Sequence, residues 1–400
     1  MIRVGFTVGF SDRGWLGGLY YFRNLFSAIL ALPQRRIDPV LLIGDSEPHD
    51  ILKNFPPVTI IRNRAFGARS RWARLQWVSH HCLKRDVVID AILRWHRIAV
   101  MSHSYRLGYG STVPSIAWIA DFQHVHLPEF FSPQEIEARN RTNAATAAEA
   151  DRVLLSSGDA YKDFCRLYPQ WSDKARIVSF VADMPDLGSV PDRAELVRRY
   201  GIEDSYFLVA NQFWAHKNHR LIIDALQLLK AKGEAITVLA TGEPHDHRWP
   251  GFYDDLMRHA AAQGVLDRFR VLGIVPRPDL VGLMKHAAAM VNPSRFEGWS
   301  TSVEEAKALG VRVIASDIAV HREQAAPGAL YVHPDKPEEL ARALAAVAAS
   351  PAPAPDRAAA ASLMQRRNGF ARAYEEVVLE LCSGTKHRIM QRDANSPAKA

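Results

Sequence analysis

Two carboxylates stand eight residues apart in the stretch SRFEGWSTSVEEAKALG, residues 294–310: Glu297 and Glu305. The apolar run MVN before this stretch predicts a buried strand, and the pattern within it predicts a helix. Glu297 is therefore expected in the loop at the carboxyl end of the strand. The helix start offers the backbone N–H groups of Ser300 and Thr301 to an anion. Amides for phosphate and carboxylates for hydroxyl groups together suit a phosphorylated sugar.

The carboxylates near the helix start also have a purely structural explanation. Thr301 with Glu304, or Ser302 with Glu305, fits the capping box S/T-x-x-E, in which each side chain bonds the backbone N–H of the other residue. The helix dipole further stabilises acidic residues in a first turn. Glu297 lies before the helix and has no such explanation, so it is the stronger functional candidate.

The motif NPSRFEGWSTSVEEAKALG resembles the E-x7-E signature of the retaining GT-B glycosyltransferases of family four, also called glycosyl transferases group 1. The resemblance implies that Glu297 contacts the hydroxyl groups of the donor hexose and that Glu305 contacts the ribose of the nucleotide. It also implies a UDP-, GDP- or dTDP-linked sugar as donor, with no cofactor and no metal. The usual GFG turn of the family is GWS here, which leaves the choice of donor sugar open.

The stretch VANQFWAHKNHRLIIDAL, residues 209–226, extends the resemblance. A strand is predicted to end at Asn211, and Lys217 begins a helix after a loop, where a compact positive charge suits a diphosphate. Many family members carry an arginine about six residues before this lysine, at the position of Asn211. Arg220 or His216 could take the place of that arginine. The alternative for Lys217 is a surface lysine at a helix start, which the helix dipole slightly disfavours.

Two further loops of the second half resemble parts of the family's donor site. VLGIVPRPDL resembles the loop that holds the nucleobase, so Val275 and Arg277 are candidates there. DIAVHREQ follows the last strong strand, and its His321 and Glu323 could form an ion pair near Glu297.

A glycine pair opens the first predicted helix, in GWLGGLYYFRNLFSAI. The stretch resembles the family's glycine turn between the first strand and the first helix. Gly17 and Gly18 would let the backbone approach the donor phosphates and the acceptor. The position of the pair after the first strand strengthens this interpretation.

Four polar residues gather past a predicted strand end in SIAWIADFQHVHLPEFFS: Asp121, His124, His126 and Glu129. By resemblance, Asp121 matches the aspartate of the family's His-Asp pair, and Ala120 replaces its histidine. His124 or His126 could supply the imidazole instead, and which of them is functional stays open. The alternative for His124 is a structural histidine in an aromatic loop. A zinc site is disfavoured because no further ligand lies nearby in sequence.

The chain alternates short apolar runs with helical patterns twice over, which predicts two successive doubly wound α/β domains with ligands in the cleft between them. The family resemblance implies the GT-B architecture, two Rossmann-like domains facing a cleft with a C-terminal helix crossing back to the first. The predicted segments are an acceptor-binding domain, a linker, a nucleotide-sugar donor domain, a crossover helix and a disordered tail, at residues 1–183, 184–204, 205–356, 357–383 and 384–400.

Composition places the chain among cytosolic globular proteins. It has 400 residues, 48% hydrophobic and 23% charged, and no apolar run long enough to span a membrane. The start MIRVGFTVGF reads as a strand rather than a secretory signal. Cys82, Cys165 and Cys382 are far apart and predict neither a disulfide framework nor a metal site, which fits a reducing compartment.

The net charge of +7 has its densest contribution in residues 61–85, which contain seven basic residues and no acid, together with Phe66, Trp72, Leu75 and Trp77. A basic helix with interleaved aromatics suits an anionic lipid surface. Nucleic acid is a weaker alternative, disfavoured by the near-neutral second half. A solvated helix with its tryptophans facing its own core is the third possibility.

These features lead to the hypothesis of a retaining, metal-independent transferase that moves a hexose or deoxyhexose from a nucleotide sugar to a glycan or lipid-linked acceptor in surface polysaccharide biosynthesis. Its expected location is the cytoplasm, peripheral to the inner face of the membrane. A GT-B nucleotide-sugar epimerase or hydrolase, and a non-catalytic nucleotide-sugar-binding protein, are the alternatives.

Overall fold

The computed structural model describes residues 1–7, 16–45, 55–67, 72–103, 107–108, 110–185, 187–202, 205–246, 248–350 and 357–394. Side chains are described in these ranges except at 16–17, 187, 357–358, 360 and 384–394.

The strands within the described ranges are β1 Ile2–Thr7, β2 Ile37–Ile43, β3 Thr59–Arg62, β4 Ile98–Ser102, β5 Ser115–Ile119, β6 Arg152–Leu155, β7 Ala175–Ile177, β8 Tyr206–Ala210, β9 Thr237–Thr241, β10 Phe269–Gly273, β11 Met290–Asn292, β12 Val313–Ser316 and β13 Leu330–Val332.

The helices there are α1 Leu16–Ala31, α2 Ala73–Leu83, α3 Val87–Trp95, α4 Gln123–His126, α5 Pro133–Glu149, α6 Gly158–Leu167, α7 Arg193–Tyr200, α8 His219–Ala231, α9 Phe252–Ala262, α10 Arg277–His286, α11 Thr301–Leu309, α12 Ala319–Gln324, α13 Pro337–Ala348 and α14 Arg357–Ala394. Short 3-10 helices lie at Arg64–Phe66, Pro128–Phe130, Pro169–Lys174, Leu187–Ser189 and Ala215–Lys217.

The chain forms two compact units. Unit 1 comprises residues 1–121, 137–181 and 366–400, and unit 2 comprises residues 122–136 and 182–365. Residues 122–136, which the sequence assigns to the first domain, thus group with unit 2.

Each unit is built on one parallel sheet. The described strands of unit 1 follow the spatial order β3-β2-β1-β4-β5-β6-β7, and those of unit 2 follow β10-β9-β8-β11-β12-β13. Central strands such as β8 and β9 are apolar and almost wholly buried, because helices cover both faces of a sheet of this kind. The predicted doubly wound α/β fold class is confirmed.

The first strand of each unit marks the point where the strand order reverses. In unit 1 the chain moves outward from β1 through β2 to β3, and later from β4 to β7 on the other side. In unit 2 it moves from β8 to β10, and later from β11 to β13. Sheets of this kind bind ligands beyond the carboxyl ends of the strands at such a switch point.

The C-terminal helix packs on unit 1, as the expected crossover implies. The Tyr374 hydroxyl donates to Ser102 Oγ at 2.7 Å. Glu380 Oε1 accepts hydrogen bonds from Arg152 Nη2 and Arg176 Nη2, each at 2.6 Å. These bonds with Arg152 and Arg176 lower the pKa of Glu380 to about 2. The two arginines come from β6 and β7, so Glu380 fastens the helix to the edge of the sheet.

The same helix runs further than the sequence predicts. Residues 384–394, expected to be disordered, continue α14 to Ala394, whereas residues 395–400 lie outside the described residues. Residues 384–394 are polar and basic, which suggests disorder. They nevertheless include lysine, arginine, methionine and glutamine, all of which have high helix propensity.

The basic helix α2 exposes most of its apolar residues. Of its eleven residues, all of which the structure describes, Ser79 alone is buried. Trp77 is 63% exposed, and Trp72, Leu75 and Val78 are also exposed. The tryptophans therefore do not face a core of their own. Arg69 and Arg71 of the same basic segment lie outside the described residues. None of the helices in the described ranges combines the length and apolar composition needed to cross a membrane.

Candidate functional site

The switch point of unit 2 lies between β8 and β11, and a buried asparagine marks the carboxyl end of each strand. Asn211 follows β8, Asn292 is the last residue of β11, and Asn211 Nδ2 donates to Asn292 Oδ1 at 3.3 Å. The chain then turns from Asn211 towards Lys217 and from Asn292 towards Glu297. The two stretches that the sequence singles out are thus brought to one edge of one sheet.

Lys217 and Glu297 form an ion pair at this edge. Lys217 Nζ lies 2.8 Å from Glu297 Oε1 and 2.9 Å from Oε2. The side chains are only 14% and 8% exposed. Burial acts to raise the pKa of Glu297, but the charge and hydrogen bonds of Lys217, together with the Ser294 hydroxyl, lower it below its usual value. Glu297 is therefore a charged carboxylate whose principal partner is Lys217.

Hydroxyl and amide groups orient Glu297 from the protein side. Ser294 Oγ donates to Glu297 Oε1 at 2.7 Å, and Asn292 Nδ2 approaches the same oxygen at 3.4 Å. Asn292 Nδ2 also donates to Ser300 Oγ at 2.8 Å, which ties the strand end to the start of α11. Asn211, at the position of the family's arginine, belongs to this uncharged network and supplies no cation.

Glu305 pairs with Arg277 on the neighbouring helices α11 and α10. Arg277 Nη1 lies 2.6 Å from Glu305 Oε1, and both side chains are largely buried. Burial raises the pKa of Glu305, and Arg277 only partly offsets this effect. Val275, half-buried, precedes Arg277 by two residues. The structure thus joins Glu305, which the resemblance assigns to the ribose, with Arg277, one of the two residues that it assigns to the nucleobase.

The start of α11 differs from the predicted capping box. Ser300 is the N-cap, and its hydroxyl accepts from the backbone N–H of Val303. The N–H of Ser300 donates to Gln324 Oε1 at 3.2 Å, so this predicted donor to phosphate has a protein partner. Glu304 has a structural role, but through Lys307 Nζ at 2.9 Å and Gln324 Nε2 at 3.2 Å. Thr301 occupies the first helical position and is half-buried.

His216, one of the two proposed substitutes for the missing arginine, is not a cation here. Burial lowers the pKa of His216 well below its usual value, and the charges of Lys217 and Arg248 act in the same direction. Arg220, the other substitute, is exposed and lies near Asp224. Neither residue supplies a second buried positive charge beside Lys217.

Arg248 is a buried cation that the sequence did not reveal. Its side chain is 9% exposed, and its Nη2 lies 3.2 Å from His216 Nδ1. Its Nε lies 3.5 Å from Asp246 Oδ1, and its guanidinium lies over the rings of Trp214 and Phe131. The signal was an arginine in the loop GEPHDHRWPG directly after β9, at the same edge of the sheet as Lys217.

Residues 122–136 bring the two candidate histidines into unit 2 with different exposures. His124 is 2% exposed, whereas His126 is exposed and its ring centroid lies 5.3 Å from that of Phe296, the neighbour of Glu297. Gln123 Oε1 accepts from Arg248 Nη1 at 3.2 Å. The segment is therefore attached to the loops that carry Arg248 and Glu297.

Asp121, the third predicted catalytic residue, lies in unit 1. Its Oδ1 is 3.8 Å from Arg139 Nη1, and both residues line a cavity of about 230 Å³ beyond the carboxyl ends of β4 and β5. Trp118 and Asn143 line the same cavity. Among the described residues, no three or more His, Cys, Asp or Glu side chains are grouped so as to hold a metal ion.

His103 also lines this cavity and is held in a left-handed backbone conformation, with φ at 59°. Its ring lies 2.9 Å from Ser102 Oγ and 2.9 Å from the Tyr21 hydroxyl. Burial lowers the pKa of His103 to about 3, so the ring is neutral. Backbone conformations of this kind in non-glycine residues often accompany functional sites.

The predicted glycine pair lies at the start of the first helix of unit 1. Gly17 and Gly18 are in the first turn of α1, which begins at Leu16. Residues 8–15, which carry the connection from β1, lie outside the described residues.

The sequence model of the family described as Glycosyl transferases group 1 matches residues 192–362. This is the family that the E-x7-E motif resembles, and the matched segment contains Lys217, Arg277, Glu297 and Glu305. The resemblance to glycosyl transferases group 1 is thereby confirmed over residues 192–362.

Two curated relatives match part of the chain. The first is O-antigen chain mannosyltransferase RfbU of Salmonella typhimurium, 30% identical over 133 residues, which are 33% of this chain and 35% of the relative. The second is O-antigen chain mannosyltransferase B of Escherichia coli, 22% identical over 212 residues, which are 52% of this chain and 54% of the relative. The chain thus matches about a third and about half of their lengths.

Solved structures of glycosyltransferases share the whole fold. HepE from Anabaena, in complex with UDP and glucose, has a TM-score of 0.63 at 14% identity and covers 98% of this chain and 100% of its own. WaaG, a glycosyltransferase involved in lipopolysaccharide biosynthesis, has a TM-score of 0.56 at 16% identity, covering 95% and 98%. These likenesses show that the fold is that of the GT-B glycosyltransferases.

Proposed function

We propose that this protein is a retaining hexosyltransferase that moves a hexose or deoxyhexose from a nucleotide-diphosphate sugar to a glycan or lipid-linked acceptor in surface polysaccharide biosynthesis. The observation that carries the proposal is the buried Lys217–Glu297 pair at the switch point of unit 2, within the segment that matches the family. The names of the two curated relatives, both O-antigen chain mannosyltransferases, support a surface polysaccharide as the product.

Each group at the site has a part in donor binding. Lys217 supplies a compact positive charge for the diphosphate, where negative charge grows as the glycosidic bond breaks. Glu297 is ionised and accepts hydrogen bonds, which suits sugar hydroxyl groups. Arg277 and Glu305 lie on the next helices and contact the nucleoside. A cation preorganised at the leaving group stabilises the transition state without the cost of rearranging solvent.

Retention of configuration follows a front-face route in this proposal. A double displacement needs a carboxylate beneath the anomeric carbon, whereas the proposal assigns Glu297 to the sugar hydroxyl groups. The leaving phosphate therefore accepts the proton of the attacking acceptor hydroxyl, on the face from which the phosphate departs. Neither a metal ion nor a cofactor takes part.

The test compares Glu297→Ala and Lys217→Ala with Lys232→Ala, an exposed lysine of the same unit, in a transfer assay with membrane-derived lipid-linked glycans. We expect the first two variants to lose transfer while unfolding cooperatively, and the third to keep it. EDTA should leave the wild-type rate unchanged. Full activity of either site variant would refute the assignment. A free epimerised or hydrolysed sugar formed without acceptor would favour the epimerase or hydrolase, and donor binding without any turnover would favour a binding protein.

The identity of the donor is open to a direct screen. Two relatives are named mannosyltransferases, and the HepE structure holds UDP and glucose, so mannose and glucose linked to UDP, GDP or dTDP are the first candidates. A donor that binds only the folded protein raises the unfolding temperature, by an amount set by its concentration relative to its Kd.

The exposed face of α2 supports action at an anionic membrane surface. Trp72, Trp77 and Val78 are exposed beside Arg74 and Lys84, and residues 72–85 contain no acid. Indole rings bury in the lipid interface while basic groups meet anionic headgroups. We expect the protein to be peripheral to the inner face of the cytoplasmic membrane, where lipid-linked acceptors reside.

Vesicle sedimentation tests this part of the proposal. The protein should bind phosphatidylglycerol vesicles and not phosphatidylcholine vesicles, and the double variant Trp72→Ala/Trp77→Ala should bind the former at least about tenfold more weakly. Trp249→Ala, an exposed tryptophan of unit 2, is the matched control. Equal binding of the double variant and the control would show that α2 is not the contact.

A further inference from the structure

His321 is a buried histidine next to the proposed donor site. It lies in α12, directly after β12, and is 1% exposed. Its Nδ1 is 2.9 Å from the backbone oxygen of Ser316 and 3.1 Å from the Ser316 hydroxyl. Since a carbonyl oxygen can only accept, Nδ1 carries the proton and donates it. The predicted partner Glu323 is exposed.

A chain of hydrogen bonds joins His321 to Glu297. The hydroxyl of Ser316 donates to the backbone oxygen of Ser294, and the hydroxyl of Ser294 donates to Glu297 Oε1 at 2.7 Å. The loops after β11 and β12 are therefore linked through two serines, and the imidazole and the carboxylate are oriented by one network. Such outer partners commonly fix the orientation of ligand-binding groups.

The other ring nitrogen of His321 has no partner. Nε2 is buried, and no hydrogen-bond donor or acceptor meets it among the residues that the structure describes. A buried polar atom without a partner is unusual and costly in a folded protein. Burial and the charge of Lys217 lower the pKa of His321, although Glu297 opposes them, so the ring is neutral. Nε2 is thus a hydrogen-bond acceptor that lacks a donor.

We propose that His321 Nε2 accepts a hydrogen bond from one hydroxyl of the donor hexose while Glu297 binds a neighbouring hydroxyl. Before the donor binds, the Lys217 ammonium occupies the position of these hydroxyl groups beside Glu297, and the donor diphosphate then draws it away. The inference rests on the proposed function and extends it, since it assigns a second sugar-binding residue and an exchange of partners. Two adjacent hydroxyl groups of a pyranose would replace one ammonium group, which leaves both Glu297 and His321 satisfied.

Two substitutions separate the ring nitrogens. His321→Asn places an amide near the position of Nδ1 and removes Nε2, whereas His321→Gln extends an amide towards the position of Nε2. We measure the affinity of each variant for the nucleotide sugar found in the donor screen and for the corresponding nucleoside diphosphate. His321→Asn should weaken binding of the nucleotide sugar about five- to tenfold, the loss of one hydrogen bond, and leave the nucleoside diphosphate unaffected. His321→Gln should recover part of that loss.

His286→Asn, a half-buried histidine at the end of α10, is the matched control and should bind both ligands as the wild type does. Equal losses for both ligands in His321→Asn, or no loss for either, would overturn the inference while the proposed function stands. A wild-type protein that binds no nucleotide sugar would overturn the proposed function, and this inference with it.

A measurement on the wild-type protein makes the test independent of variant folding. In a 15N-histidine spectrum, the Nε2 resonance of His321 should shift when the nucleotide sugar binds and should shift less with the nucleoside diphosphate. An Nε2 resonance that responds equally to both ligands would show that the sugar does not meet this nitrogen.

Discussion

Removal of the Lys217 ammonium should destabilise unit 2 strongly, because Glu297 would remain as a buried carboxylate without its cation. The carboxylate is 8% exposed and both of its oxygens contact Lys217. Breaking a buried ion pair from one side costs about 3–5 kcal/mol. For a unit of this size, we expect Lys217→Met to lower the unfolding temperature by about 6–20 °C at neutral pH.

The pH dependence of the effect has a definite sign. In the wild type the folded pKa of Glu297 is lowered, so its contribution to stability is present above the unfolded pKa and is lost as the pH falls. Without Lys217, burial raises the pKa instead, and the carboxyl destabilises the fold increasingly as the pH rises above its unfolded value. Lys217→Met should therefore be closest to wild-type stability in acid and furthest from it above neutral pH.

Urea unfolding followed by circular dichroism at several pH values measures both effects. The double variant Lys217→Met/Glu297→Gln removes the stranded charge and should return to within about 2 kcal/mol of the wild type. If the free energy of unfolding of Lys217→Met at pH 8 were within about 1 kcal/mol of the wild-type value, the ion pair would not form in solution. The proposed exchange of Lys217 for sugar hydroxyl groups on Glu297 would then have no basis.

Three further outcomes follow from neighbouring contacts. Glu305→Gln should weaken donor binding about tenfold by calorimetry, whereas Glu304→Gln should lower the unfolding temperature and leave the donor Kd within twofold. Glu380→Gln should make the free energy of unfolding of unit 1 fall less steeply in acid. The reason is that the folded pKa of Glu380, about 2, gives the wild type a stabilisation that is lost as the pH falls below the usual carboxyl range. An unchanged pH dependence in urea titrations would contradict this. Arg248→Lys should raise the donor KM with little change in kcat, since a lysine cannot reproduce the planar stacking; unchanged steady-state kinetics would make Arg248 purely structural.

The alternation of strand and helix patterns in the sequence predicted the two parallel α/β sheets correctly. Helices α5, α6 and α11 each begin beside a proline, glycine or hydroxyl residue, which is a helix-start signal that can be read from the sequence. The grouping of residues 122–136 with unit 2 could not be predicted from the sequence. It depends on contacts such as the Phe131 ring beneath Arg248, which join positions more than a hundred residues apart.

Site residues that lie within a short sequence motif could be predicted. Glu297 and Lys217 were found because each follows a buried strand, and the sheet then brought them together. Their direct pairing was not expected, because spacing along the chain says nothing about which side chains meet across a sheet edge. The wrong capping assignment arose because Thr301, Ser302 and Ser300 are all acceptable N-cap residues. A capping box with Glu304 requires Thr301 as the N-cap, whereas the N-cap in the structure is Ser300, one residue earlier.

The attachment of residues 122–136 to unit 2 has a consequence for anyone who wishes to exchange donor specificities between relatives. Unit 2 is made of two stretches of chain, so no single cut in the gene separates it from unit 1. A chimera joined only at residue 182 would set a foreign 122–136 segment against Arg248 and Phe296. Grafts that transplant both stretches together should keep those surfaces matched, whereas single-junction grafts should fold poorly whichever donor they were designed to accept.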